Sequence, residues 1–289
     1  MTLTIFTPTY NRAATLPRLY ESLLAQKETD FEWLIVDDGS TDDTRQLVAG
    51  FTGEGKFPVR YEHKENGGKH TAYNLGLQLA RGDYFFCVDS DDLLAAGSVK
   101  GILDEVKNLS ENQGIVAYKQ DLSGKRLSGE FPEQLQGCLF HELPIKHGCN
   151  GEFSLVFPTE LARKFPFPVF EGERFVTESV IYDRISLVCP MLPLRVVLTV
   201  CEYQEDGYSS DANAVMARNP SGYCLYFMQR IDLLPSFRKR LVCAGKYWCF
   251  RWISGRRELR YRGDHRLALA LGWGAGVAFR VYYKLFRRI

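Results

Sequence analysis

The tail of this chain lacks an apolar run long enough to cross a bilayer. Its longest, Leu267 to Phe279, has 13 residues between Arg266 and Arg280, against the roughly 20 that a spanning helix needs. Two phosphate-binding signatures are also missing. There is no G-x-x-x-x-G-K-[ST] and no G-x-G-x-x-G after the first strand, which removes the usual P-loop and dinucleotide classes. No two cysteines form a C-x-x-C pair, and the eight present (87, 138, 149, 189, 201, 224, 243 and 249) are irregularly spaced. That spacing argues against a disulfide framework or a zinc site and for a reducing cytosol. The opening MTLTIFTPTYNR has neither the basic start nor the long apolar stretch of a secretion signal, so a cytoplasmic catalytic part is expected.

What is present is enough for a sizeable core. The 289 residues, 45% hydrophobic and 25% charged, suit one α/β domain with an appendage and exclude disordered or fibrous classes. A net charge of +1 hides a division. Residues 237 to 289 hold 14 Lys and Arg against Glu258 and Asp264, giving +12 there and −11 over the remaining 236 residues. A basic segment of this kind is either a solvated helix or a surface for an anion. Its aromatic stretches KYWCFRW and RVYYKLFRRI suit a lipid headgroup region better than nucleic acid. The expectation is peripheral contact with an anionic membrane through residues 237–289, without spanning it.

Short β-type runs alternate with helical patterns through the first 120 residues. TLTIF (2 to 6), FEWLIVD (31 to 37), VRYEH (59 to 63) and DYFFCVD (83 to 89) read as strands; Leu16 to Leu24, Thr41 to Phe51 and Lys69 to Ala80 read as helices. This order predicts an α/β fold with a mostly parallel sheet flanked by helices. From about 120 to 200 the pattern loosens, as for a substrate-shaping half on a mixed sheet, and after Pro220 it is largely helical.

Ligands in such sheets gather at the carboxyl ends of the strands, and the polar clusters fall there: Thr7 to Asn11, Asp37 to Ser40, Glu65 to His70, Asp89 to Asp92. Asp89-Ser90-Asp91-Asp92 places carboxylates two apart where the chain leaves the sheet. Such a set suits Mg²⁺ or Mn²⁺ with a diphosphate, or it caps a helix beginning near Leu93. Asp37-Asp38-Gly39-Ser40 can accept from a base imide or a ribose hydroxyl, or simply cap. Gly67-Gly68-Lys69-His70 gives flexible backbone and a cation at a helix start, suited to phosphate.

Together TPTYNRAATL (7 to 16), FEWLIVDDGSTDDT (31 to 44) and NGGKHTAYNLGLQLARGDYFFCVDSDDLL (66 to 94) resemble the nucleotide-binding half of family 2 glycosyltransferases. The resemblance implies a GT-A fold: a transferase domain over 1–215, with halves 1–95 and 96–215, beyond which charge and pattern give a helical basic extension over 216–289. It implies an inverting hexosyl or N-acetylhexosaminyl transferase using a nucleotide-sugar donor, of UDP type. Thr7, Pro8, Thr9, Asp37 and Asp38 would contact base and ribose, Asp89 would lie near the ribose, Lys69 near phosphate, and Asp91 would bind Mg²⁺ or Mn²⁺, with Asp92 the alternative. An acidic residue opening a helix with Arg six residues on is the family's general base, and Glu178-Ser179-Val180-Ile181-Tyr182-Asp183-Arg184 has that shape. Glu178 is the expected base, with Glu171, Glu173 and Asp183 as rivals. FEGERFVTESVIYDRI (170 to 185) is similar to transferases that build capsule, exopolysaccharide or lipopolysaccharide, which implies a glycan or lipid-linked glycan acceptor at the inner membrane face. A sugar nucleotidyltransferase would show a Gly- and Arg-rich loop after the first strand, which TPTYNRAA lacks. A third reading is an inactive scaffold of the same fold.

Overall fold

The computed structural model describes residues 1–202 and 212–286; the last three residues of the basic tail lie outside them. Two compact units result. The first comprises Met1–Pro166 and Tyr182–Gln204, the second Phe167–Ile181 and Glu205–Ile289. The pattern of the sequence groups residues 167–181 with the acceptor half, whereas in the structure they cluster with the C-terminal helices.

The first unit is built on one eight-stranded sheet: β1 (Leu3–Thr9), β2 (Phe31–Asp37), β3 (Val59–His63), β4 (Tyr84–Cys87), β5 (Leu93–Leu94), β6 (Gly114–Asp121), β7 (Phe153–Pro158) and β8 (Met191–Cys201). Their order is β3-β2-β1-β4-β7-β6-β8-β5. The β1, β2, β3 and β4 neighbours pair in parallel, as do β6 and β8, while β7 and β5 run antiparallel to their neighbours. The helices α1 (Leu16–Leu24), α2 (Thr44–Glu54), α3 (Lys69–Leu79), α4 (Ser98–Val106), α5 (Leu143–Lys146) and α6 (Thr159–Ala162) fill the connections, and α7 (Ser179–Ser186) precedes β8.

Every residue of β1 and β2 is buried, as central parallel strands covered on both faces must be. On one face Tyr20 of α1 stacks on Phe51 of α2 at 4.1 Å, above Trp33. On the other, Phe6 stacks with Phe85 and meets Tyr73 of α3 edge-on. That helix can come so close only because residue 76 is glycine: a Cβ there would collide with the Phe6 ring. At the amino ends of the strands the buried Glu32 is fully engaged. Its carboxylate accepts from the Thr4 hydroxyl at 2.8 Å, the Arg81 N–H at 2.7 Å and Arg60 at 2.9 Å, which is how a charge at 0% exposure is tolerated.

Other expectations change too: the fourth strand is Tyr84–Cys87 and not 83 to 89, so Asp89 lies beyond it. β1 extends through Thr9, so Thr7, Pro8 and Thr9 belong to the strand and not to the loop after it. Pro8 lies past the last β1–β4 pair, Phe6 with Cys87, where its missing N–H breaks no ladder on that side. No helix begins near Leu93. Leu93 and Leu94 pair antiparallel with Val200 and Thr199, so the acidic turn before them does not cap a helix. Finally, α2 begins at Thr44 and not at 41.

In the second unit α8 (Ala212–Arg218), α9 (Pro220–Leu233), α10 (Phe237–Ser254) and α11 (Arg266–Phe286) share a core that includes Cys224, Phe227, Ile231, Tyr247 and Phe250. Residues 167–181 are tied to α9: Glu173 accepts the N–H groups of Ser221 at 2.7 Å and Gly222 at 3.0 Å, filling the orphan donors of that helix start. α10 and α11 touch through small residues, since a Cβ on Gly272 would strike Ala244 and one on Gly276 would strike Trp248.

Candidate functional site

Parallel pairing aligns the carboxyl ends of three strands. Thr9 lies beside Asp37, and Asp37 beside His63, so the loops that follow leave the sheet at a common edge. They then bond to one another. The Asn11 N–H donates to Ser40 Oγ at 2.8 Å, Asn11 Oδ1 accepts the Thr41 N–H at 2.8 Å, and the Ala13 N–H donates to Asp42 at 3.0 Å. These bonds fasten the loop after β1 to the loop after β2.

Asp37 is wholly buried. One oxygen accepts the Ser40 N–H at 2.7 Å and the other the Tyr61 hydroxyl at 2.5 Å; burial, and then this bond, push the Tyr61 phenol above its ordinary pKa. Asp38 is equally occupied, accepting from Lys64 Nζ at 2.6 Å and from the N–H groups of Gly67 at 3.0 Å and Gly68 at 2.7 Å. The loop after β2 therefore holds the Gly67-Gly68 turn in place. Gly68 has φ 94°, a conformation that side chains resist.

The turn delivers Lys69 to the start of α3, where its Nζ lies 2.7 Å from Asp89 Oδ1. The carboxylates beyond β4 are thereby joined to the same edge. Asp89 is held below its ordinary pKa: burial opposes the charge, but Lys69 and Lys119 outweigh it. Asp91 moves the other way, raised by burial and by the Asp89 carboxylate, with Arg12 and Lys69 pulling back. Asp92 is turned inward at 6% exposure, 3.3 Å from Lys119 Nζ and accepting from Cys201 Sγ at 3.3 Å. Burial leads in pushing it up to about 6.

The expected residues thus separate by environment. The Thr7 hydroxyl faces the core and accepts from the Trp33 indole at 2.9 Å, whereas the buried Thr9 hydroxyl has no hydrogen-bond partner among the described residues. Pro8 is buried between them. Asp37, Asp38, Lys69, Asp89 and Asp91 all stand at the one edge. Glu178 lies in the second unit, immediately before α7. Lys64 and Lys119, which the sequence did not single out, hold Asp38 and Asp92; nothing local in the sequence marks either, because each partner arrives through strand pairing. Among the described residues no three His, Cys, Asp or Glu side chains form a ready metal cluster. The carboxylate of Asp91 is nonetheless a donor of the right hardness, partly exposed beside another carboxylate, and fits a divalent cation.

Residues 4–155 match the family profile described as Glycosyl transferase family 2. A Rickettsia felis protein described as an uncharacterized glycosyltransferase is 34% identical over 149 residues, 47% of this chain and 24% of the relative. The chondroitin synthase of Escherichia coli is 40% identical over 105 residues, 36% of this chain and 15% of that one. This chain accordingly spans about a quarter of the length of the first relatives it matches. Among solved structures, S. aureus TarS 1-349 in complex with UDP-GlcNAc aligns with a TM-score of 0.62 at 18% identity, covering 95% of this chain and 80% of that one. The mannosyltransferase PcManGT from Pyrobaculum calidifontis, in complex with GDP-Man and Mn²⁺, aligns with a TM-score of 0.55 at 20% identity, covering 98% and 81%. At these identities the likeness is one of fold, the GT-A arrangement of sheet and helices.

Proposed function

Because this chain belongs to glycosyl transferase family 2, we propose that it is an inverting, metal-dependent hexosyl or N-acetylhexosaminyl transferase. It moves a sugar from a nucleotide-diphosphate donor, a UDP-sugar, to a glycan acceptor in surface polysaccharide synthesis. The observation that carries the reading is the joining of four strand ends at one edge, with Lys69 paired to Asp89 and Asp91 alongside.

Within that edge the residues divide the work. Thr9 and Pro8, with the loop of Asp37 and Asp38, receive base and ribose. The two aspartates act chiefly by holding loops, since their oxygens already accept bonds from Ser40, Tyr61, Lys64, Gly67 and Gly68. Lys69 balances phosphate charge and Asp89 orients Lys69. Asp91 holds Mg²⁺ or Mn²⁺, because Asp92 is committed to Lys119; the cation would neutralise charge on the departing diphosphate. Apart from that edge, Glu178 of the second unit is the residue proposed to take the proton of the acceptor hydroxyl as it attacks the anomeric carbon, and Glu173 is set aside because both its oxygens cap α9.

The eight free thiols support a reducing, cytoplasmic setting. The basic stretch 237–289 supports peripheral contact with the inner membrane face, where a lipid-linked acceptor would be met. The test is calorimetric titration of UDP and GDP, with Mn²⁺ and then EDTA, into wild type, Asp91→Ala and Asp92→Asn. Metal-dependent UDP binding lost only in Asp91→Ala is expected; binding of neither nucleotide would sink the donor assignment.

A further inference from the structure

Helix α11 has two unlike faces. Toward α10 it turns Gly272 and Gly276, and Ala268 and Tyr283 are buried near its two ends. The opposite face is open and apolar: Leu267 is 65% exposed, Leu271 56%, Trp273 54% and Val281 51%. A Cβ added at Gly274 would meet nothing within 4 Å. Between Arg266 and Arg280 the sequence LALALGWGAGVAF offers one hydrogen-bonding side chain, the Trp273 indole.

Where this strip reaches Arg280 a groove of about 430 Å³ opens between α10 and α11, lined by Trp252, Trp273, Val277, Arg280, Val281 and Lys284. The two indoles meet edge to face at 5.9 Å, and the Arg280 guanidinium lies 6.0 Å above Trp252. α10 carries five Lys and Arg and α11 three, with no Asp or Glu in either helix.

We propose that this face is a docking surface for an anionic lipid bilayer. α11 lies along the membrane plane with Leu267, Leu271 and Val281 among the acyl chains, and the groove takes a lipid phosphate between Arg280 and Lys284. A protein partner would be read through polar contacts as well as apolar ones, about one hydrogen bond per 100–200 Å², and the strip offers almost none. A lipid–water boundary asks for what is present: aliphatic side chains on the oily side, Trp at the border, and cations beside it on two helices that carry no Asp or Glu of their own. Spanning is a different arrangement, for which no helix among the described residues is long and apolar enough.

The inference rests on the peripheral membrane contact proposed above and is independent of the transfer reaction. Its test is sedimentation with vesicles of phosphatidylcholine alone or mixed with phosphatidylglycerol. Wild type should sediment with the mixed vesicles, with a blue shift of Trp emission. Leu267→Glu/Leu271→Glu and Arg280→Glu/Lys284→Glu should each weaken binding by about tenfold or more, with UDP affinity unchanged. Circular dichroism reports whether the tail stays folded; if the glutamates unfold it, Leu267→Ser/Leu271→Ser replaces them. Undiminished binding by both folded variants would overturn this face while leaving membrane contact elsewhere. Wild type that binds neither vesicle would overturn both. Self-association of wild type, lost in the variants and without vesicle binding, would make the strip an interface between copies and also overturn the proposal.

Discussion

Lys69, the first residue of α3, and Asp89, just beyond β4, meet at 2.7 Å, so the start of a helix and an acidic turn hold each other at the edge of the sheet. Lys69→Met should weaken UDP binding by about tenfold, the loss of one charge-assisted contact. Stability should change little, because the two side chains are 27% and 36% exposed and such pairs contribute roughly 0–1 kcal/mol. Calorimetry for affinity and a thermal melt separate the two effects; an unchanged affinity would overturn the phosphate role proposed for Lys69.

Glu178, just before α7, and Glu173, which caps α9, should behave differently. Glu178→Gln is expected to lower transfer by about 10²–10⁴-fold while UDP affinity stays at the wild-type value. Glu173→Ala removes the carboxylate that accepts the Ser221 and Gly222 N–H groups and should cost about 1–2 kcal/mol of stability without changing turnover per folded molecule. Steady-state rates set against denaturant melts distinguish them, and full turnover in Glu178→Gln would discard it as the base.

Asp42 connects pH to stability. Burial raises its pKa, but the Thr44 hydroxyl and the N–H groups of Ala13 and Thr44 outweigh this and hold it below its ordinary 3.8. A carboxyl depressed in the folded state contributes stability that is present above the unfolded pKa and lost as pH falls through the folded one. Asp42→Ala should therefore melt below wild type at pH 7, with the gap closing below about pH 4. A gap that stays constant down to pH 2.5 would contradict this.

Close packing of α3 gives a test of the core. Gly76→Ala puts a methyl group against the Phe6 ring and should destabilise by about 1–3 kcal/mol. Adding Phe6→Leu makes room, so the double variant should lose less than the sum of the two singles. Additive losses in a urea melt would show that the contact is relieved some other way.

Much of the first half of the sheet could be read from local pattern. FEWLIVD and VRYEH correspond to β2 and β3 residue for residue, since each is a short run ended by polar turn residues, and α3 starts at Lys69 directly after the two glycines. Local pattern failed where a distant partner decides. Pattern ends the first strand at Phe6 and leaves Pro8 in the cluster after it, whereas β1 runs on through Pro8 once the β4 ladder has ended. Leu93 and Leu94 look like a helix start until β8, about a hundred residues on, pairs with them. At the site, residue types signalled a cluster of acids and cations, but not which carboxylates already have work. Lys119 separates Asp92 from Asp91, and Trp33 draws Thr7 into the core, through contacts made only by the folded chain.

Asp38 gathers two glycine amides and a lysine into one carboxylate, which bears on timing. Glycines are the residues that lose most freedom when ordered, and here that loss occurs when the protein folds and not when a ligand arrives. The amide protons of Gly67 and Gly68 should then exchange with solvent only when Asp38 lets go, leaving a slow clock inside a turn that its composition alone would make one of the fastest in the chain.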